Sequence, residues 1–211
     1  LKNAKKGVAK SPPSFYNMGM NDKSGICRII CAGEKCSLTF KPSADDLTIA
    51  ADGGLDYLAG EGLSADLFMG DCDSSHSCPP SNGVILPTVK DVTDTYAAAE
   101  EGLRRGYRRF EIYCALGGRL SHTLANIAVL RHIRKAGGDG VLIGRGAKVR
   151  VSCGRTEISG NVYFSVLPSG ERAEAEITGA KYSGTFTFTD EDSLGVSNEP
   201  LEKKIAAVTV R

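Results

Sequence analysis

The 211-residue chain lacks several features that would settle its class at once. No apolar run approaches the roughly 20 residues needed to span a bilayer, so the sequence offers no membrane-crossing helix. No charge imbalance is present: 26 Lys and Arg stand against 25 Asp and Glu, a net charge of +1. That balance removes the pull toward nucleic acid or an anionic membrane that a basic chain would have. There is no C-x-x-C pair, and the 7 cysteines are scattered. Single thiols of this kind point to a reducing cytosol rather than a disulfide framework, so a cytoplasmic location is expected. Internal repeats and low-complexity tracts are absent, and neither G-x-x-x-x-G-K-S/T nor G-x-G-x-x-G occurs.

What is there reads as an ordinary globular chain, 41% hydrophobic and 24% charged. The first 24 residues are polar and lysine-rich, contain Pro12-Pro13 and lack the apolar core of a secretory signal. They read as an added or truncated leader, with Met18 or Met20 as the candidate native start. Five short apolar runs follow: "ICRIICAG" (26–33), "LTIAAD" (47–52), "DLFMGD" (66–71), "GVILP" (83–87) and "RFEIYCALGG" (109–118). They are near-continuous rather than alternating, as expected of strands buried on both faces of a parallel sheet.

Helical patterns lie between them. "GGLDYLAGEGL" (53–63) is short and broken by Gly60. "TDTYAAAEEGLRRG" (93–106) has Thr93 as its N-cap and Gly106 as its stop. "SHTLANIAVLRHIRKAGG" (121–138) is capped by Ser121 and ended by Gly137, with Leu124, Ile127, Ala128, Leu130 and Ile133 as its apolar stripe. Strand–helix alternation implies βαβ units and a doubly wound, mostly parallel sheet. After residue 140 the texture changes to "KVRVSC", "NVYFSVLP", "AEAEITG", "GTFTFT" and "IAAVTV", most with period two. That pattern suits antiparallel strands with one wet face. The expected organisation is a polar leader at 1–24, an α/β domain at 25–139 and an all-β domain at 140–211.

Carboxylates cluster at the strand ends. Asp52 follows the second strand, Asp71 and Asp73 the third, and Asp91 and Asp94 follow the fourth and open a helix. In an open α/β sheet, ligands bind beyond the carboxyl ends of the strands. Five aspartates at one rim would repel one another unless a cation sat among them, and an oxygen-rich set suits Mg²⁺ that also carries substrate phosphates. Asp91 and Asp94 taken alone are equally explained by favourable charge at a helix N-terminus. The turns "ADGG" (51–54), with Gly53 and Gly54, and "LGGRLSH" (116–122), with Arg119, sit between a strand and a helix, where backbone N–H groups suit phosphate. His122 is open between a ligand or proton carrier and a helix cap, and His132 reads as a surface or packing residue. Cys72, His76 and Cys78 lack a fourth zinc ligand at sensible spacing and read as a loop with free thiols.

In order, "AADGGLDYL", "ADLFMGDCDS", "KDVTDTYAA", "GGRLSHTLANI" and "GVSNEP" (195–200) resemble the motif series of the thiamine pyrophosphokinase family. The resemblance spans nearly all of the chain after residue 25. It implies an α/β domain followed by a β-sandwich, transfer of the pyrophosphoryl group of ATP to the hydroxyl of thiamine, Mg²⁺, and a homodimer with thiamine at the subunit interface. Carried over by motif, it implies Asp71, Asp73 and Asp94 as the catalytic metal site. Asp52, Gly53, Gly54, Asp91, Thr93, Arg119 and His122 fall along the nucleotide, and Ser197 and Asn198 meet thiamine. Two positions depart from the family pattern: Cys72 stands where an aromatic is usual, and Ser121 where an aspartate is usual. A related pyrophosphokinase acting on a pterin alcohol, or a catalytically weak thiamine- or nucleotide-binding protein, is the alternative.

Overall fold

The structure is a computed structural model and describes residues 22–70, 84–85 and 91–211. The chain forms two compact units, one ending at Val149 and the other running Arg150–Arg211. The first holds a seven-stranded sheet in the order β4-β3-β2-β1-β5-β6-β7. Its strands are β1 (Cys27–Ile30), β2 (Leu47–Ala51), β3 (Leu67–Gly70), β4 (Val84–Ile85), β5 (Arg109–Tyr113), β6 (Asp139–Gly144) and β7 (Ala147–Arg150). The strands from β4 across to β6 pair in parallel, with Ile29 of β1 between Ile49 and Ile112. β7 returns from β6 through the two-residue turn Arg145-Gly146. Every residue of β1, β2 and β3 is buried, the physical reason that these strands show as continuous apolar runs.

Helices cover both faces of this sheet. Leu55 and Leu58 of α1 (Gly54–Gly60) join a core with Ile30, Ala50 and Phe68. Gly102 of α2 (Asp94–Arg104) sits over Cys27, whose side chain alternates to the other face from that of Ile30. A Cβ on Gly102 would lie 2.7 Å from Cys27 Sγ and from the Phe110 ring, so packing demands a glycine that helix propensity disfavours. α1, α2 and α3 (Leu120–Lys135) all end in the same paired backbone bonds, closed on left-handed Gly62, Gly106 and Gly137. The one charge buried in the central strand, Arg28, is held by Asp46 at 2.6 Å, Glu111 at 2.9 Å and the face of Phe40.

Three expectations change here. Ser121 does not cap α3; Arg119 occupies the N-cap position without a capping side-chain bond. The buried face of α3 is Asn126, Val129, Leu130 and Ile133, while Leu124 is 58% exposed. The stripe turns because buried Asn126 donates to the Ala115 carbonyl at 2.8 Å and can therefore face inward. The change of texture at 140 falls inside the first unit: β6 extends the parallel sheet beside β5, and β7, the "KVRVSC" segment, lies next to it. Residues 1–21 of the expected leader lie outside the described residues.

The second unit holds a four-stranded antiparallel sheet in the order β10-β9-β11-β8. Its strands are β8 (Arg155–Ile158), β9 (Arg172–Thr178), β10 (Gly184–Thr189) and β11 (Ala206–Val210). Ala175, Ile177, Phe188, Ala206 and Val208 form its core. "NVYFSVLP" forms no strand; it makes a single bridge, Phe164 to Asn198. Its alternation is real, but Tyr163 and Leu167 face solvent while Phe164 and Val166 pack on the core. Among the described residues, no helix is long and apolar enough to cross a membrane.

Candidate active site

In the first unit the site is assembled by strand ends. Beyond β2 the chain turns through Asp52, a non-glycine residue at φ +53°, whose N–H donates to the Met69 carbonyl at 3.0 Å. Residues held in this left-handed region cost free energy and gather where function over-determines the backbone. Gly54 begins α1 directly over the end of β1; a Cβ there would stand 1.9 Å from the Ile30 carbonyl oxygen. Gly70 ends β3 against Asp52, and a Cβ on it would lie 3.0 Å from Asp52 Cα. The glycines of "ADGG" and "MGD" are therefore what lets β1, β2 and β3 bring their carboxyl ends together.

α2 enters from the same side. Thr93 caps it, accepting from Tyr96 N–H at 3.2 Å, as the spacing predicts, and Asp94 is its first residue. Thr95 Oγ1 lies 3.3 Å from Cys31 Sγ, just past β1, so the helix start is docked on that strand end. Burial pushes the Cys31 thiol up to about 12, and the Asp94 charge adds to the rise. Asp52 and Asp94 thus both stand at the carboxyl edge of β1–β3, half-buried, with Asp91 exposed ahead of the helix. Their oxygens are the hard donors that Mg²⁺ prefers. Among the described residues, no three His, Cys, Asp or Glu gather as a metal site. Asp71 and Asp73, two of the three expected ligands, lie outside the described residues, as do Cys72, His76 and Cys78.

The β5 end supplies the second turn. Gly117 and Gly118 are both left-handed, and Arg119 and His122 are exposed at the start of α3. The structure adds a residue that sequence reasoning missed. Glu34, in the loop after β1, donates its N–H to the Leu116 carbonyl at 3.2 Å, and its side chain fills the space beside Gly117. A carboxylate there opposes phosphate unless it is paired, and Arg145 stands 3.7 Å from it. No sequence motif marks Glu34, because its contacts are more than 80 positions distant.

In the second unit the site is a cavity of about 350 Å³ bounded by the "GVSNEP" segment. Its walls include Ile177, Tyr182, Phe186, Phe188, Leu194 and Val196, and Ser197 and Asn198 border it. Size and apolar walls match a small-molecule pocket. Gly195 is required by packing, since a Cβ would lie 2.3 Å from the Val166 carbonyl oxygen. Ser197 is left-handed at φ +60° and exposed, and its N–H donates to Ser165 Oγ at 3.2 Å. Asn198 is buried, with its amide engaged by Tyr182 and Glu199. Tyr182 and Phe186 were not anticipated; the "GTFTFT" alternation signalled a strand but not that it walls a cavity.

A mostly parallel sheet with carboxylates at its strand ends, followed by a separate antiparallel sheet that borders an apolar-walled cavity, defines the class: a two-unit protein with an acidic rim in one unit and an apolar-walled cavity in the other. Residues 42–139 match the family model described as thiamin pyrophosphokinase, catalytic domain, a family of kinase-type transferases. That segment is similar to a thiamin pyrophosphokinase catalytic domain, the family that the ordered motifs resemble. The fold is shared with solved structures. A thiamine pyrophosphokinase from Bacillus subtilis superposes with a TM-score of 0.74 at 24% identity, covering 88% of this chain and 93% of that one. A thiamin pyrophosphokinase from Geobacillus thermodenitrificans gives 0.69 at 22%, covering 88% and 92%. One from Candida albicans gives 0.72 at 15%, covering 88% and 85%. No curated protein sequence matches the chain.

Proposed function

We propose that the chain transfers the pyrophosphoryl group of ATP to the hydroxyl of thiamine, giving thiamine diphosphate and AMP. The observation that carries this reading is the catalytic-domain match over residues 42–139. The docking of Asp52 and Asp94 at one strand-end rim supports it. The hydroxyl attacks the β-phosphorus in line and AMP leaves. Such transfers depend on positioning and charge more than on covalent chemistry by the protein. Asp71, Asp73 and Asp94 would hold Mg²⁺, which would supply neutralising charge for the phosphates. Asp52 with Gly53 and Gly54, and Asp91, Thr93, Arg119 and His122, orient the nucleotide. Ser197 and Asn198 belong to the thiamine site. The reading includes a doubly wound catalytic domain, a β-sandwich thiamine domain, a homodimer with thiamine at the subunit interface and a cytoplasmic location.

A coupled AMP-release assay tests it, with thiamine, a pterin alcohol and no acceptor run in parallel. Thiamine-dependent AMP release is the expected result. Release with the pterin alcohol alone makes the chain a related pyrophosphokinase. No release with any acceptor, together with retained thiamine binding, makes it a binding protein.

A further inference from the structure

The Asn198 side chain spends its bonding capacity inside the protein. Its Oδ1 accepts from Tyr182 N–H at 3.1 Å and from Glu199 N–H at 2.9 Å. Its Nδ2 donates to the Tyr182 carbonyl at 2.8 Å. A carboxamide offers two acceptor sites and two donor hydrogens, so three of four are used. The Asn198 backbone is engaged as well, exchanging both bonds with Phe164 at 2.8 Å. The residue is 3% exposed. It borders the cavity with almost no surface to offer a ligand.

Its partner is the opposite case. Tyr182 lines the cavity and is 57% exposed, yet both its backbone polar groups are clamped by the one Asn198 side chain. The rest of its turn is fastened to the same segment. Lys181 N–H donates to the Glu199 carbonyl at 2.9 Å, Leu201 N–H to the Gly179 carbonyl at 2.9 Å, and Ala180 bridges Pro200. Ser197, immediately before Asn198, is left-handed and exposed, a conformation that a non-glycine residue keeps only when its neighbours hold it.

We propose that Asn198 is a positioning residue for the acceptor: it fixes Tyr182 and Ser197 at the cavity mouth, and the acceptor touches those two residues rather than the Asn198 amide. This rests on the reading of the cavity as the thiamine site.

The test is steady-state AMP release by the full chain, with thiamine and ATP varied separately, for Asn198→Asp, Tyr182→Ala and the double variant. Asn198→Asp keeps the shape and the Oδ1 bonds but sets an acceptor against the Tyr182 carbonyl. Thiamine KM should rise about tenfold, as a displaced positioning group would cause, while ATP KM and kcat stay within about twofold. Tyr182→Ala should raise thiamine KM similarly, and the double variant should be no worse than Tyr182→Ala, because Asn198 acts through Tyr182. Calorimetric titration with thiamine in the absence of ATP should show the same loss of affinity. Should Asn198→Asp not fold, Asn198→Ser reads the same quantities. The proposal is overturned if thiamine KM stays unchanged in the Asn198 variant while Tyr182→Ala raises it, or if the two effects multiply; the thiamine reading of the cavity then stands. If Tyr182→Ala leaves thiamine affinity unchanged, the reading of the cavity falls, and the proposal with it.

Discussion

The acidic rim of the first unit and the cavity of the second are built by opposite means. The rim is a product of topology: Asp52 and Asp94 come from separate elements and stand at one edge because β1, β2 and β3 run parallel and end there. The cavity border is a product of local folding, in which residues 195–200 lie against the turn 179–183 and carry their own hydrogen bonds. Function and stability are therefore separable at the rim and entangled at the cavity. An aspartate at the rim should be replaceable without loosening the sheet, whereas Gly195 is held by packing and Asn198 by its hydrogen bonds before any ligand arrives.

Asp94→Asn gives the largest effect and tests the rim directly. It removes a charge at a half-buried helix start, so AMP release should fall by about 10³-fold, as when a preorganised electrostatic group is lost. The melting temperature should shift by only about 2–4 °C. Assay and calorimetry on the same preparation check this; unfolding in place of inactivity would make the rim a stability device. Asp71→Ala should lower ATP-dependent formation of thiamine diphosphate to a similar extent in a folded protein.

Arg28→Ala should do the reverse, costing up to about 3 kcal/mol of stability by removing the cation from the buried Asp46 carboxylate and the partly exposed Glu111, with little effect on kcat of the protein that remains folded. The partner Asp46 adds a pH dependence. Burial alone pushes its carboxyl up, but Arg28 and the N–H groups of Ile26 and Ser43 outweigh it and hold the group below the usual carboxylate range. A lowered folded-state pKa contributes stability that is complete above the unfolded value of about 4 and is lost as pH falls through the lower folded value. Urea melts between about pH 5 and pH 2 should show this loss in the native chain and a shallower one in Arg28→Ala.

The contrast between the units also decides what was legible in the sequence. β1 to β3 were readable because burial on both faces leaves an unbroken apolar run, and Thr93 because a cap acts on a residue three positions away. β6 escaped because Gly140 and Gly144 look like turn residues. In fact each admits a close neighbour, Leu130 at 2.9 Å and Leu116 at 2.7 Å from where a Cβ would stand. Leu130 and Ile133 of the expected stripe of α3 are buried, but Asn126 and Val129 escaped because Asn126 is polar and finds its partner outside the helix. The Asn198 clamp joins residues 16 apart, and Glu34 reaches the Gly117 turn from the loop after β1; neither leaves a periodic trace. Local and fully buried features show in the pattern of residues, while long-range polar pairings do not.

Thiol reactivity separates buried from exposed chemistry without mutation. Among the described cysteines, Cys27, Cys31, Cys36 and Cys114 are buried and Cys153 is exposed. Native alkylation with iodoacetamide followed by peptide mass spectrometry should label Cys153 and leave those four unmodified until the chain is unfolded. Early labelling of Cys31 would mean that the contact between α2 and β1, which docks Asp94, opens readily.

Ser121→Asp is the smallest effect and sharpens the contrast most finely. Ser121 is exposed in the first turn of α3 and does not cap it. An aspartate there would meet the positive end of the helix, worth about 0.3–1 kcal/mol at low salt. For a chain of this size that is a rise of about 1–3 °C in melting temperature. Scans at low salt and at about 0.5 M salt distinguish the cause, since an exposed helix-end interaction is screened. A rise that persists at high salt would mean that the new carboxylate has found a hydrogen-bonded partner, with Arg119 of the same turn the nearest cation in sequence. Activity should change by less than about threefold if Ser121 only borders the nucleotide turn. A larger gain would place position 121 within the charge arrangement of the rim, and α3 would then join β1, β2, β3 and α2 as a builder of that site.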